Sequence, residues 1–107
     1  MKYWRADTLD YTATLLVAAA VYTGNTRRID QYEKLTGTII TDQNGTALIQ
    51  QSSDGTNWDY ETSLSLTAGT GAAFNVDAVG LFARIKITNT AGADQTYLRG
   101  YLIGRAG

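Results

Sequence analysis

The residues best suited to chemistry lie in one short stretch, DGTNWDYE, which runs from Asp54 to Glu61. Asp54, Asn57 and Asp59 offer oxygen atoms of the kind that Ca²⁺ prefers. The stretch lacks the ligand spacing and the late bidentate Glu of an EF-hand loop. Asp and Asn also have an ordinary role in turns, where their side chains accept hydrogen bonds from the backbone. We therefore expect a turn here, and no metal site.

The chain contains few of the residue types that enzymes commonly use in catalysis. Asp59 and Glu61 are two residues apart and could act as the carboxylate pair of a glycosidase. The same spacing arises wherever a strand turns its charged side to solvent. The chain contains no His and no Cys, which removes the commonest general base, the usual hydrolytic triads and thiolate metal ligands. We predict that the protein is not an enzyme and has no catalytic, cofactor-binding or metal-ligating residues.

The elements that position this stretch are β-strands. Residues 58–66 alternate without interruption, which predicts a strand with one buried and one wet face. The side expected to be buried carries Trp58, Tyr60, Thr62, Leu64 and Leu66, and the wet side carries Asp59, Glu61, Ser63 and Ser65. The turn SSDGTN before it predicts a hairpin with the preceding strand. The residues that we expect to anchor the core are Trp58, Tyr60, Leu64, Phe74, Ile85 and Ile87.

Further strands follow at spacings near ten residues. The predicted strands span residues 34–42, 45–52, 72–79, 81–89 and 96–103. Asn44-Gly45 between the first two predicts a hairpin turn, because both residues accept positive φ. Residues 13–23 are expected to be extended, and residues 27–34 form either a helical turn or a brief edge strand. The chain is therefore all-β, an antiparallel β-sandwich of about seven to eight strands, jelly-roll or immunoglobulin-like.

Composition limits the number of domains and the classes of binding partner. The chain has 107 residues, 44% hydrophobic and 18% charged, with a formal net charge of −1. That length suits one domain with one core, and the balance of charge gives no reason to expect nucleic acid. No apolar run reaches the ~18 residues of a membrane helix, and the interrupted basic start argues against a signal peptide. We expect a soluble protein that binds neither nucleic acid nor membrane.

The N-terminal segment stands apart from this pattern. Residues 1–12, MKYWRADTLDYT, have no clean period but are rich in aromatic residues. We predict an extended N-terminal arm here and a single sandwich domain over residues 13–107. The last strand is apolar on both faces, which is typical of a strand covered by a neighbour. Candidate protein-interface residues are Tyr3, Trp4, Leu9, Tyr11, Tyr97 and Tyr101.

The order of these features resembles that of small β-sandwich proteins from the particles of tailed bacteriophages. The resemblance is carried by Leu48–Trp58, which ends in SSDGTNW, followed by Ala83–Ala93, which begins with ARIKITN. Residues 22–30, 34–42 and 68–76 match the same order, and residues 1–12 lie outside it. The resemblance supplies no catalytic residues.

The resemblance implies a structural role at the virion. Its members decorate or cement capsids, form head fibres or occupy tail and collar joints, and they are made in the bacterial host cytoplasm. It implies a capsid decoration or cement protein at the capsid surface that binds the major capsid protein or other virion proteins. A homo-oligomer, with a trimer favoured, is expected to bury the last strand. The alternative is a glycan-binding or adhesive module on a virion or cell surface that uses Trp4 or Tyr3.

Overall fold

A computed structural model describes residues 5–106, which form two antiparallel sheets packed face to face. Sheet A has the strand order β1-β9-β4-β7, and sheet B has the order β2-β8-β5-β6, with β3 also paired to β8. The strands are β1 (Arg5–Thr12), β2 (Val21–Thr23), β3 (Arg27–Arg28), β4 (Lys34–Thr41), β5 (Gly45–Ser52), β6 (Tyr60–Leu66), β7 (Ala72–Asp77), β8 (Phe82–Asn89) and β9 (Leu98–Ala106). The predicted all-β sandwich is confirmed.

The strand pairing decides between the two predicted topologies. β2 and β3 both pair with β8, so they act as one interrupted edge strand. The first strand then pairs with the last, β2/β3 with β8, β4 with β7, and β5 with β6. This nesting is that of one long hairpin wound into two sheets, which is the jelly roll. The described residues contain nine strands because the second is split in two.

The core lies between the sheets and is built by the inward side of each alternating strand. Sheet A contributes Leu35, Ile39, Leu98 and Leu102, and sheet B contributes Ala47, Ile49, Ala83, Ile85 and Ile87. Each of these side chains is at most 2% exposed. Burying a leucine or isoleucine side chain contributes about 1.5–3 kcal/mol, so the seven leucine and isoleucine residues of this set contribute much of the stability of the sandwich. No helix within residues 5–106 has the length and apolar character to cross a membrane.

The segment between β1 and β2 crosses from sheet A to sheet B and is fixed by a buried amide. Asn89 is fully buried, and its Nδ2 donates to the carbonyls of Leu16, Val17 and Ala93 at 2.9–3.3 Å. The Gln95 side chain accepts from the Leu16 amide at 3.0 Å. These bonds pair the backbone groups of Leu16 and the carbonyl of Val17 without regular secondary structure.

Residues 5–12 correct the prediction of an arm. They form β1, which pairs with β9 over its whole length. The Tyr32 hydroxyl donates to Asp7 at 2.6 Å, and the Tyr22 hydroxyl donates to Asp10 at 3.0 Å. A β-bulge between Thr8 and Asp10 breaks the period of two, which is why alternation failed to reveal the strand. This part of the N-terminal segment is an edge strand of the sandwich.

The Asn44-Gly45 prediction is also wrong. β4 belongs to sheet A and β5 to sheet B, so the connection between them crosses the sandwich and closes no hairpin. Positive φ within the described residues occurs at Ala19, Gly55 and Gly69 only. The other predicted hairpin is confirmed, because β5 pairs with β6 through the SSDGTN turn. Gly55 in that turn has a φ of 79°.

Candidate functional site

The broad outer face of sheet A brings together two of the predicted interface residues. Tyr11 on β1 lies directly opposite Tyr101 on β9. Their ring centroids are 4.8 Å apart with 36° between the planes, a tilted stack of the kind that aromatic pairs favour. Both rings point outward, because Gly100 and Leu102 on either side of Tyr101 are buried. Tyr11 keeps 49% of its surface exposed.

The stacked tyrosines belong to a larger uncharged surface, which we call the tyrosine face. Its rows run across the four strands, with Thr8, Ile103, Thr36 and Asn75 paired in one row. The tyrosine face consists of the outward side chains Thr8, Tyr11, Thr36, Thr38, Ala73, Asn75, Tyr101 and Ile103. Alternation in β4 and β7 could have predicted Thr36, Thr38 and Asn75. Their assembly with β1 and β9 depends on strand order, which alternation does not encode.

Charged residues lie at the two ends of the tyrosine face. At one end Arg105 pairs across the sheet with Lys34, which forms an ion pair with Asp77. At the other end the Arg99 guanidinium lies 5.9 Å from the centroid of the Tyr97 ring. The centre between them offers aromatic, aliphatic and hydroxyl groups. A face with a low-charge centre and a polar rim is typical of protein interfaces.

The remaining interface candidates are placed differently. Tyr97 is half-buried beside Arg99, at the edge of this surface. Leu9 is at the β-bulge and packs against the core, so much of its apolar surface is already covered within the chain. Tyr3 and Trp4 lie outside the described residues. The tyrosine face is therefore built from two of the six predicted candidates together with residues that the sequence did not single out.

Some of the predicted core anchors lie in the core and others do not. Phe74, Ile85 and Ile87 lie in the core, and Leu64 is half-buried against it. The prediction for Tyr60 is wrong, since this side chain is 49% exposed at the start of β6. Trp58 also lies outside the core. It precedes β6, and its half-buried indole is over the guanidinium of Arg84 at 4.2 Å.

The Asp54 carboxylate is engaged by its own turn. One oxygen accepts from the Ser52 hydroxyl and from the backbone amides of Thr56 and Asn57 at 2.7–2.9 Å, and the other accepts from the Asn57 side chain at 2.8 Å. These donors, with the Asn57 amide first, hold the pKa of Asp54 far below its usual value. The carboxylate oxygens thus serve the turn. No group of three or more acidic, His or Cys ligands occurs between residues 5 and 106.

Acid is expected to destabilise the fold through three carboxylates. Hydrogen bonds from Asn57, Thr96 and Tyr32 lower the pKa values of Asp54, Asp42 and Asp7 below the ordinary 3.8. A lowered folded pKa means that the unfolded chain takes up protons first as pH falls. The free energy of unfolding should therefore be steady above about pH 5 and decrease below about pH 4. Urea unfolding followed by tryptophan fluorescence at a series of pH values measures this dependence.

Asp54→Asn provides the control for this prediction. The amide keeps the shape of the side chain but cannot accept all the same hydrogen bonds or titrate. The variant should be less stable than the parent at neutral pH and should lose less stability on acidification. An acid dependence equal to that of the parent would show that the Asp54 turn does not contribute to it.

The comparisons with known proteins identify the fold and the family. The PBSX exported protein XepA is similar in structure, with a TM-score of 0.84 and 22% identity over 97% of this chain and 38% of that one. A Staphylococcus aureus protein, the capsular polysaccharide assembling protein CapF, has a TM-score of 0.52 and 12% identity over 94% of this chain and 25% of that one.

A Bacillus endospore appendage protein, described as forming disulfide-linked pili, has a TM-score of 0.50 and 16% identity over 100% of this chain and 96% of that one.

This chain spans well under half of the length of XepA and of CapF. No curated protein matches it at a significant level. The family model of the "uncharacterised protein YqxG N-terminal domain" matches residues 3–102. The chain belongs to the YqxG N-terminal domain family.

Proposed function

We propose that this chain is a non-enzymatic structural protein of a bacteriophage particle, in the role of a capsid decoration or cement protein. The observation that carries the proposal is the tyrosine face, an uncharged surface with a stacked aromatic pair on the sandwich. Aromatic residues held in place by a sheet make good contact residues because they lose little conformational freedom on binding. The similarity in fold to XepA, which is phage-related, supports the particle assignment.

The described residues support a contact function better than a reaction. No cavity is found among residues 5–106, and the carboxylates of Asp54 and Asp42 are held by turn and loop hydrogen bonds. A protein that binds many identical sites needs a rigid surface rather than a reactive pocket.

The size of the tyrosine face favours more than one contact per subunit. Four strands about 4.8 Å apart, each with two outward residues about 6.8 Å apart, give a face on the order of 250 Å². A standard interface buries about 800 Å² on each partner. We therefore propose that the chain binds the major capsid protein or another virion protein and also contacts sister subunits. A closed ring such as a trimer would join several such faces and raise the total affinity.

Mass spectrometry of purified particles tests this proposal. The chain should be present as a stoichiometric component of the virion, at many copies per particle. Cryo-electron microscopy of the same particles should then place the jelly roll on the capsid surface. Absence from purified particles, with the protein found only in the surrounding lysate, would contradict a structural role in the virion. Presence at a tail or collar joint would retain the structural role but exclude the capsid site.

A further inference from the structure

A second site lies on the opposite side of the molecule, on the outer face of sheet B. Arg84 points outward from β8, because its neighbours Ala83 and Ile85 are at most 2% exposed on the inward side. The Trp58 indole extends over this outer face and stacks with the guanidinium at 4.2 Å. One side of the ring is covered by Arg84, and the side chain as a whole is only half-buried. The indole therefore presents aromatic surface to solvent.

A row of hydrogen bonds fixes the polar groups beside this indole. Gln50 is opposite Arg84 on one side and opposite Glu61 on the other. Its Oε1 accepts from Arg84 Nε at 2.6 Å, and its Nε2 donates to Glu61 Oε2. Gln50 is only 5% exposed although it is on the outward side of its strand. The covered amide thus holds a cation and an anion in set positions across three strands.

This row keeps hydrogen-bonding capacity for a ligand. Among the described side chains, none bonds to the terminal nitrogens of Arg84 or to the second oxygen of Glu61. No buried polar side-chain atom in residues 5–106 lacks a partner, so these unused atoms are open to solvent. The stack on Trp58 and the bond to Gln50 restrict the guanidinium before any ligand arrives, which reduces the entropy lost on binding.

We propose that Trp58, Arg84, Gln50 and Glu61 form a binding platform for a neutral oligosaccharide. A sugar hydroxyl both donates and accepts hydrogen bonds, so it can use the donors of Arg84 and the acceptor of Glu61 together. An anionic ligand would be repelled by Glu61, and a cationic ligand by Arg84. The apolar side of a sugar ring fits the exposed indole, as aromatic surfaces with polar neighbours allow.

The shape of the site adds a further restriction. The platform is an open sheet face with no enclosing cavity, so it suits an extended chain of sugars laid across the surface rather than a single enclosed sugar. The platform lies on sheet B, whereas the tyrosine face lies on sheet A. A particle protein could therefore bind a capsid through the tyrosine face and a surface glycan through the platform. Loss of one binding activity would leave the other intact.

The test uses the full chain with Trp4→Phe, so that Trp58 is its only tryptophan. The probes are linear oligomers of glucose, galactose and N-acetylglucosamine, titrated at millimolar concentrations in ¹H–¹⁵N NMR spectra. At least one probe should shift the Trp58 indole resonance in a saturable way. In the same background, Arg84→Lys and Glu61→Gln should each weaken that binding at least about tenfold. Lysine lacks the planar set of donors of arginine, and the single oxygen of glutamine would be occupied by Gln50.

Two controls make the result decisive. Tyr101→Glu alters the tyrosine face and should leave sugar binding unchanged. A dispersed ¹H–¹⁵N spectrum confirms that each variant is folded, which separates loss of binding from loss of structure. The proposal is overturned if no neutral probe shifts the Trp58 indole, or if the shift persists unchanged in both variants.

Discussion

Under the proposed virion role, Tyr101→Glu is expected to prevent binding to the particle while leaving the sandwich folded. Tyr101 is at the centre of the tyrosine face and is stacked on Tyr11. Truncating an interface tyrosine at a central position often costs about 2 kcal/mol or more, and a desolvated carboxylate adds to that cost. Affinity should fall at least about 30-fold. The ring points outward and is only half-buried, so the free energy of unfolding should change little.

Binding to particles that lack the protein measures this effect. Occupancy is read from gel densitometry after the particles are separated from free protein. Ser65→Glu is the matched control, because it adds the same charge to an exposed position on sheet B. The control should reach the occupancy of the parent. Equal occupancy of Tyr101→Glu and parent would exclude the tyrosine face as the contact surface, whatever the particle assignment.

Gly37→Ala is expected to destabilise the fold by about 3 kcal/mol or more, at the upper end for overpacked cores. A Cβ atom at Gly37 would be 2.0 Å from the Tyr101 carbonyl oxygen and 2.5 Å from the Phe74 ring. The ring can move, but the carbonyl belongs to the neighbouring strand β9. The variant can therefore fold only if β4 and β9 separate, which disturbs the centre of sheet A. A domain of this size has a total stability of about 5–15 kcal/mol, so much of it would be lost.

Urea unfolding gives the free energies for this comparison. Gly92→Ala is a suitable control, because a Cβ atom there would have no neighbour within 4 Å. Its stability should stay within about 0.5 kcal/mol of the parent, as for most surface substitutions. A Gly37→Ala protein as stable as the control would mean that β4 and β9 are not packed as closely as described.

Strand positions could be predicted from the sequence because alternation is a local signal. β8 shows this most clearly, since Ala83, Ile85 and Ile87 point inward as their spacing requires. The same reasoning was wrong for Trp58, because strand β6 begins only at Tyr60 and the pleat does not extend back to the indole. Alternation assigns a face only while the backbone remains in the sheet.

Pairing between strands could not be predicted, and the candidate site depends on it. Asn44-Gly45 has the sequence of a hairpin turn but is used for a crossing between sheets. Gly45 is needed there because a Cβ would be 2.4 Å from the Thr88 carbonyl oxygen, and the Asn44 side chain accepts from the Ala68 amide at 2.9 Å. Both residues therefore contact parts of the chain that are distant in sequence. Tyr11 and Tyr101, 90 positions apart, meet for the same reason, since the nested pairing places the first strand beside the last.

The pairing of β1 with β9 also determines how the molecule responds to mechanical load. Arg5 is opposite Ala106, so both ends of the described chain emerge at one end of sheet A. A pulling force between them acts along the interstrand hydrogen bonds, which lie perpendicular to antiparallel strands. The bonds then break one after another, as a zipper opens, and the resistance is low. Tension is therefore better carried through the faces of the sandwich than through the two ends of the described residues.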